Sequence, residues 1–296
     1  MRFLSPLCVV CLVETAYTFA KMAEANPDEQ MRKLLNLTRE VEALLRSPPA
    51  TYAELGKRFC DACVRVLGDF DYFRPIKEAS NEVALRLAPA AEAYVRSATS
   101  RDERLRRAVK VALVGNALDF GTGVYEVSLE GFEAQFSSLL SAEVAVDESG
   151  DLLAALRRSK RVLYVLDNAG EVVLDRLLIS ELASMGLEVT AAVRGALVQN
   201  DATIEDAERA GIGGVARVIT TGSAVPGIVV SDCSEEFLRE LREADLVVLK
   251  GQGNYQSIEE LLKLRSEGLA FLLVVKCDPV ARDLGVQVGD MVAKLV

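Results

Sequence analysis

The sequence predicts an α/β protein, a mostly parallel doubly wound sheet with an N-terminal all-helical domain. Three observations carry this. Up to about Arg107, apolar residues recur at every third or fourth position, the period of an amphipathic helix. After about Lys160 the pattern changes to short β-branched runs that are almost continuously apolar, as strands covered on both faces should be. Helical stretches separate several of these runs, and strand–helix alternation implies a parallel sheet.

The helical half comprises CLVETAYTFAKMA, MRKLLNLTREVEALL, YAELGKRFCDACVRVL and ASNEVALRLAPAAEAYV. Its breaks fall at Asn26-Pro27, Ser47-Pro48-Pro49 and the Gly68-Asp69 stretch, where proline, glycine and capping residues stop helices. The strands read as RVLYVLD, LEVTAAVR, ARVITT, ADLVVLK, LAFLLVVK and MVAKLV, with helices at EVVLDRLLISELASMG and SEEFLRELREA between them. Residues 108–159 fit neither period cleanly and are assigned to helices and connections. The division is therefore a helical domain over 1–107 and an α/β domain over 108–296.

Composition removes several chemistries. No histidine occurs, so a Ser-His-Asp triad, an HExxH zinc site and any imidazole base are excluded. Proton transfer falls to carboxylates, lysine, tyrosine, thiol or metal-bound water. Acidic residues exceed basic ones by 44 to 34, with no basic stripe, which argues against nucleic acid as a partner. The first twenty residues resemble a signal peptide only faintly: Pro6 interrupts the apolar run and Glu14 ends it. A buried first helix, no membrane partner and a cytoplasmic location are the expectation. The oligomeric state is left open.

Ligands of open α/β sheets bind at the carboxyl ends of the strands. Here those ends carry Asp167-Asn168, then Arg194 and Asn200-Asp201, then Gly222-Ser223, then Lys250-Gly251-Gln252-Gly253-Asn254, then Lys276-Cys277. Asp167, Asn168 and Asp201 offer oxygen ligands only, suited to a hard divalent cation. Lys250 and Lys276 are point charges for phosphate oxygens. The turns at Gly222-Ser223 and Gly251–Gly253 can present backbone N–H groups to an anion. Together these are parts for phosphoryl transfer to water. Each part also has a plainer reading. Asn168 and Asp201 suit helix caps, glycine turns are common after strands, and K-G-Q-G-N is no Walker motif. A sugar-phosphate- or nucleotide-binding α/β protein without turnover has the same ingredients.

Several motifs, in this order and spacing, resemble the metal-dependent damage-control phosphatases, in their archaeal-type branch. They are Cys8-x-x-Cys11, Asp71–Lys77 running into Asn81, Gly115–Phe120, Asp167–Glu171, Asn200–Thr203, Lys250–Tyr255 and Lys276-Cys277. The resemblance covers nearly the whole chain. It implies a helical domain on an α/β domain and Mg, Mn, Co or Ni as cofactor, held by Asp167, Asn168 and Asp201. It implies a small phosphorylated metabolite as substrate, whose phosphate Lys250 contacts. Asn116 and Asp119 match a further motif expected at the same site, and Asn254 belongs to the lysine motif. Asp201 or Asp119 is then the carboxylate that orients or deprotonates water, with Asp167 as covalent nucleophile the lesser alternative. Where the family pattern often has proline, this chain has Leu197, and the opening before Lys77 reads Asp71-Tyr72-Phe73-Arg74-Pro75. Gln252 and Gln256 replace an acid and an arginine of other branches, which bears on sugar-phosphate specificity. An older family name suggests methyl transfer, but no glycine-rich cofactor loop follows the first strand. The pairs Cys8/Cys11 and Cys60/Cys63 each lie one helical turn apart and suit buried core thiols, disulfides or a structural zinc.

Overall fold

The computed structural model describes residues 2–69, 71–122 and 128–296. Three helices open the chain: α1 (Leu7–Ala23), α2 (Pro27–Arg46) and α3 (Tyr52–Leu67). Two longer spans follow, α4 (Arg74–Arg96) and α5 (Arg101–Gly115), and then α6 (Leu129–Ser141). The remainder alternates: β1 (Val146–Asp147), α7 (Ser149–Leu156), β2 (Arg161–Val165), α8 (Glu171–Ser184), β3 (Glu188–Val193) and α9 (Ile204–Arg209). It continues with β4 (Arg217–Thr220), α10 (Glu235–Glu243), β5 (Leu246–Lys250), α11 (Gly251–Tyr255), α12 (Ile258–Leu261), β6 (Leu269–Val274), α13 (Asp278–Leu284) and β7 (Met291–Leu295).

Helix starts follow side-chain chemistry. The Asn26 side chain accepts from the N–H groups of Asp28 and Glu29, with Pro27 opening α2 where no donor is needed. Thr51, Ser100 and Ser234 cap α3, α5 and α10 in the same way. Each such cap contributes about 1 kcal/mol.

The sheet order is β1-β7-β6-β5-β2-β3-β4. All pairings are parallel except β6 with β7. The expected mostly parallel, doubly wound sheet is therefore present. Strand alternation sends successive residues to opposite faces. Val162, Tyr164, Val248, Ala270 and Leu272 meet α4, α5 and α8 on one side. Leu163, Val165, Val247, Leu249 and Phe271 meet α10, α12 and α13 on the other.

The helical half divides differently from the expectation. Only α1–α3, closed by Phe73, share a core of their own, built on Leu12, Phe19, Leu37, Leu55 and Phe59. α4 and α5 bury Val83, Ala84, Val95, Val109 and Val111 in the same core as the sheet. A boundary at residue 107 would fall inside α5. The physical reason is that α5 is apolar on almost every side from Ala108 to Gly115, so it must be covered by both α8 and the sheet.

Candidate active site

The carboxyl ends of β2, β3 and β5 bring three loops together. Past β2 the chain turns through Asp167–Gly170, and past β3 through Gly195–Thr203. The two loops are laced together: Asn168 and Asp201 form an antiparallel bridge. Ala202 N–H donates to Asp167 O at 2.7 Å, and Ala169 N–H to Asn200 O at 2.8 Å. Asp167, Asn168 and Asp201, predicted as one constellation, therefore stand side by side, all buried.

A cavity of about 120 Å³ opens over them. Asp167, Asn168 and Asp201 form its floor, and Asp119, Gln252 and Gly253 also line it. α1 and α3 roof it with Cys8, Cys11, Thr15, Tyr52, Phe59 and Cys60. Among the described residues, the only charged ones on its lining are the three aspartates.

Electrostatics in this floor are strained. Burial pushes the Asp167 carboxyl well above the usual carboxylate range, and the neighbouring Asp201 and Glu171 charges add to that. Asp201 is pushed up to about 6 by burial, against the pull of Arg194. Arg194 is the hydrogen-bonded counter-charge, beside the through-space charge of Lys276: Nε donates to Asp201 Oδ2 at 2.6 Å and a terminal nitrogen reaches Asp167 Oδ1 at 3.4 Å. Its other terminal nitrogen donates to Gly227 O and Asn254 Oδ1. One guanidinium thus serves two carboxylates, and the site has room in charge for a further cation. Among the described residues, no three His, Cys, Asp or Glu side chains gather as a metal cluster. The oxygen set is two carboxylates and one amide. The Asn168 amide oxygen already accepts from Asn200 at 3.0 Å, so the two aspartates are the stronger ligands. That donor set fits a hard divalent ion.

Asp119 occupies the opposite flank. Burial would raise its pKa, but the Lys276 ammonium at 2.6 Å and the Gly121 and Thr122 hydrogen bonds together hold it below the usual value. Gly121 N–H and the Thr122 hydroxyl complete its partners. Asp119 therefore stays ionised on the cavity wall. Lys276, a predicted phosphate contact, reaches the site through this pair.

Lys250 is placed otherwise than expected. It is fully buried, and its ammonium donates to Ala112 O at 2.8 Å, to Asp175 Oδ1 at 2.8 Å and to Glu171. Three donors are spent on three acceptors, so none remains for a phosphate. Asn116 is likewise a support: its Nδ2 bridges Asp167 and Glu171 while its Oδ1 accepts Val274 N–H. Asn254 braces Arg194 and Lys250 O. Gly222 and Ser223 do not line the cavity; Gly222 packs on Ser234, and Ser223 donates to Asp232. The amide cradle expected there is turned to structure, because the Gly195 backbone rests directly on the Gly222–Ser223 peptide.

Sequence reasoning passed over the roles of Arg194, Glu171 and Asp175. Glu171 takes Lys250, Asn116 and both N–H groups of Asn168. A carboxylate four residues past Asp167, opening a helix, was the available signal. Gly251 is also set by the site: its φ is +79°, and a Cβ there would lie 1.8 Å from Asp167 Oδ2.

Fold and crevice together define a doubly wound α/β protein of the enzyme type, with its reactive polar groups gathered at the strand ends. The model of the damage-control phosphatase ARMT1-like domain matches residues 4–292, and the chain belongs to that family. It is 34% identical to a damage-control phosphatase of Archaeoglobus fulgidus, over 99% of both chains. It is 31% identical to one of Pyrococcus horikoshii, over 96% of this chain and 95% of the relative. The crystal structure of a DUF89 family protein from Pyrococcus horikoshii superposes with a TM-score of 0.84 at 29% identity, covering 99% of this chain and 98% of that one.

Proposed function

We propose that the chain is a divalent-metal-dependent phosphatase of small-metabolite phosphate monoesters, sugar phosphates or damaged phospho-metabolites among them. Family membership supports phosphatase activity. The observation that carries the metal is the cavity's charge: among the described residues its lining has three aspartates and no lysine or arginine. Against the three aspartates stand Arg194 and Lys276, so a bound divalent cation would turn the balance of charge in favour of an anion. Asp167, Asn168 and Asp201 would hold that cation, with Mg, Mn, Co or Ni as the expected ions.

A bound cation supplies positive charge for the phosphoryl oxygens. The chain's own residues do the rest. Asp119, ionised and fixed by Lys276, accepts a hydrogen bond from a water and orients it toward phosphorus. Asp201 is the second carboxylate that can take the proton. Water supplies the oxygen, the ester oxygen leaves with a proton, and inorganic phosphate and an alcohol result. Glu171, Lys250 and Asn116 hold Asp167 and Asn168 in place without touching substrate. Among the described residues, no helix is long and apolar enough to cross a membrane, and a cytoplasmic location is part of this proposal.

Release of phosphate from p-nitrophenyl phosphate tests the reading, with metal stripped and then Mg, Mn, Co or Ni restored. Turnover that requires metal and is lost in Asp167→Ala supports it. Turnover in stripped protein, or an active Asp167→Ala, overturns it. Folded protein that is inactive with every ion would favour a phosphate-binding protein without turnover.

A further inference from the structure

One turn of α4, away from the cavity, takes hold of both loops that carry the aspartates. Asn81 is 2% exposed. Its Oδ1 accepts the Gly170 N–H at 2.7 Å, from the loop after β2. Its Nδ2 donates to Asp206 Oδ1 at 2.9 Å, in the first turn of α9. Asp206 in turn accepts from Thr203 N–H and Oγ1 at the end of the loop after β3, and pairs with Lys77 at 3.0 Å. The approach at Gly170 is as close as backbone allows: with φ at +78°, a Cβ there would stand 2.8 Å from the Ser80 carbonyl carbon and oxygen. The two loops already bond to each other across Asn168 and Asp201, which fixes their relative register. Asn81 adds a third fixed point to that pairing, on a long helix.

We infer that Asn81 is a positioning residue that tunes divalent-cation affinity, by bridging the loop of Asp167 and Asn168 to the helix that follows Asp201. This rests on the metal reading above. The chemistry of the position is specific. One group must accept from Gly170 and another donate to a carboxylate, and a primary amide does both. A carboxylate retains the first bond and loses the second. An alanine loses both. Groups that orient metal ligands change metal affinity by about 10- to 100-fold when removed.

The test is titration of the metal-stripped protein with Mn²⁺ alone, followed by calorimetry, with no substrate present. Asn81→Ala should weaken the Mn²⁺ Kd by about ten-fold or more. Asn81→Asp keeps the Gly170 bond but sets a like charge against Asp206, so it too should weaken the Kd. Val95→Ala, a core truncation far along α4, lowers Tm and should leave the Kd unchanged. At saturating Mn²⁺, KM for p-nitrophenyl phosphate should stay near native in all three. An unchanged Kd in both Asn81 variants, or an equal shift in Val95→Ala, overturns the inference while the metal reading stands. A native chain that binds no divalent ion overturns both.

Discussion

Arg194 and Asp201 are locked together by a 2.6 Å hydrogen bond with the guanidinium almost wholly buried. The same guanidinium extends to Asp167. It is therefore the resident cation of the carboxylate floor. Arg194→Met should cost about 3–5 kcal/mol of stability, because it leaves two buried carboxylates facing each other. Added Mn²⁺ should then raise Tm more in the variant than in the native chain, since the ion neutralises charge that the arginine no longer does. Thermal melts with and without Mn²⁺ measure this; an equal shift in both proteins would show that Arg194 and the ion act independently.

Lys250 gives a sharp discrimination between two roles. A lysine on the substrate phosphate, when removed, would raise KM and spare the fold. The buried triad with Glu171 and Asp175 predicts the reverse. Lys250→Met should cost about 3–5 kcal/mol in urea denaturation, the penalty for stranding buried charge. Asp175→Asn in the same chain should restore part of it, as contacting residues couple. Additive losses in the double variant would contradict the triad.

The acid limb of stability should contain the Lys77–Asp206 pair. Burial would raise the Asp206 pKa, yet Lys77 and the Thr203 and Asn81 hydrogen bonds pull it below the ordinary value. A carboxyl with a lowered folded pKa adds stability that is fully present above its unfolded pKa of about 3.9 and is lost as pH falls through the folded value. Lys77→Met removes the cation and returns that pKa upward. The native chain should therefore lose more stability than Lys77→Met between neutral pH and the end of the acid limb. Urea midpoints at stepped pH would show the two curves converging; parallel curves would remove the pair from the account.

Much of the architecture was legible because burial on both faces writes itself directly into strand composition. β2, β5 and β6 are apolar at nearly every position, and so were found. The strand-end rule likewise placed Asp167, Asn168 and Asp201 at one crevice, whereas Asp119, which follows α5, was reached only through the family resemblance. Lys250 was misplaced because position along the chain was read and parity was not. Leu246 and Val248 face α5 and α8, so Lys250, two residues on, must face them too. Arg194 could not be assigned, since its partners lie on three separate loops and on α11. The roof over the cavity was also hidden: nothing local in α1 or α3 tells that Cys11 and Phe59 stand opposite Asp167.

Gly251 separates backbone strain from steric demand at the site. Its φ of +79° is left-handed, which costs an L-residue about 1–2 kcal/mol. Gly285 has φ at +71° and nothing within 4 Å of where a Cβ would stand. Gly285→Ala should therefore lose only about 1–2 kcal/mol and keep full turnover of p-nitrophenyl phosphate. Gly251→Ala bears the same backbone cost and must also push the Asp167 carboxylate aside, because its Cβ would overlap Oδ2. Asp167 has nowhere easy to go, held as it is by Asn116, Asn168 and Arg194. Turnover of p-nitrophenyl phosphate should fall by about 100-fold or more, the scale of a misplaced reacting group, alongside a larger drop in Tm than Gly285→Ala shows. Equal behaviour of the two alanine variants would mean that Asp167 moves freely, and that its observed position is not the one used in catalysis.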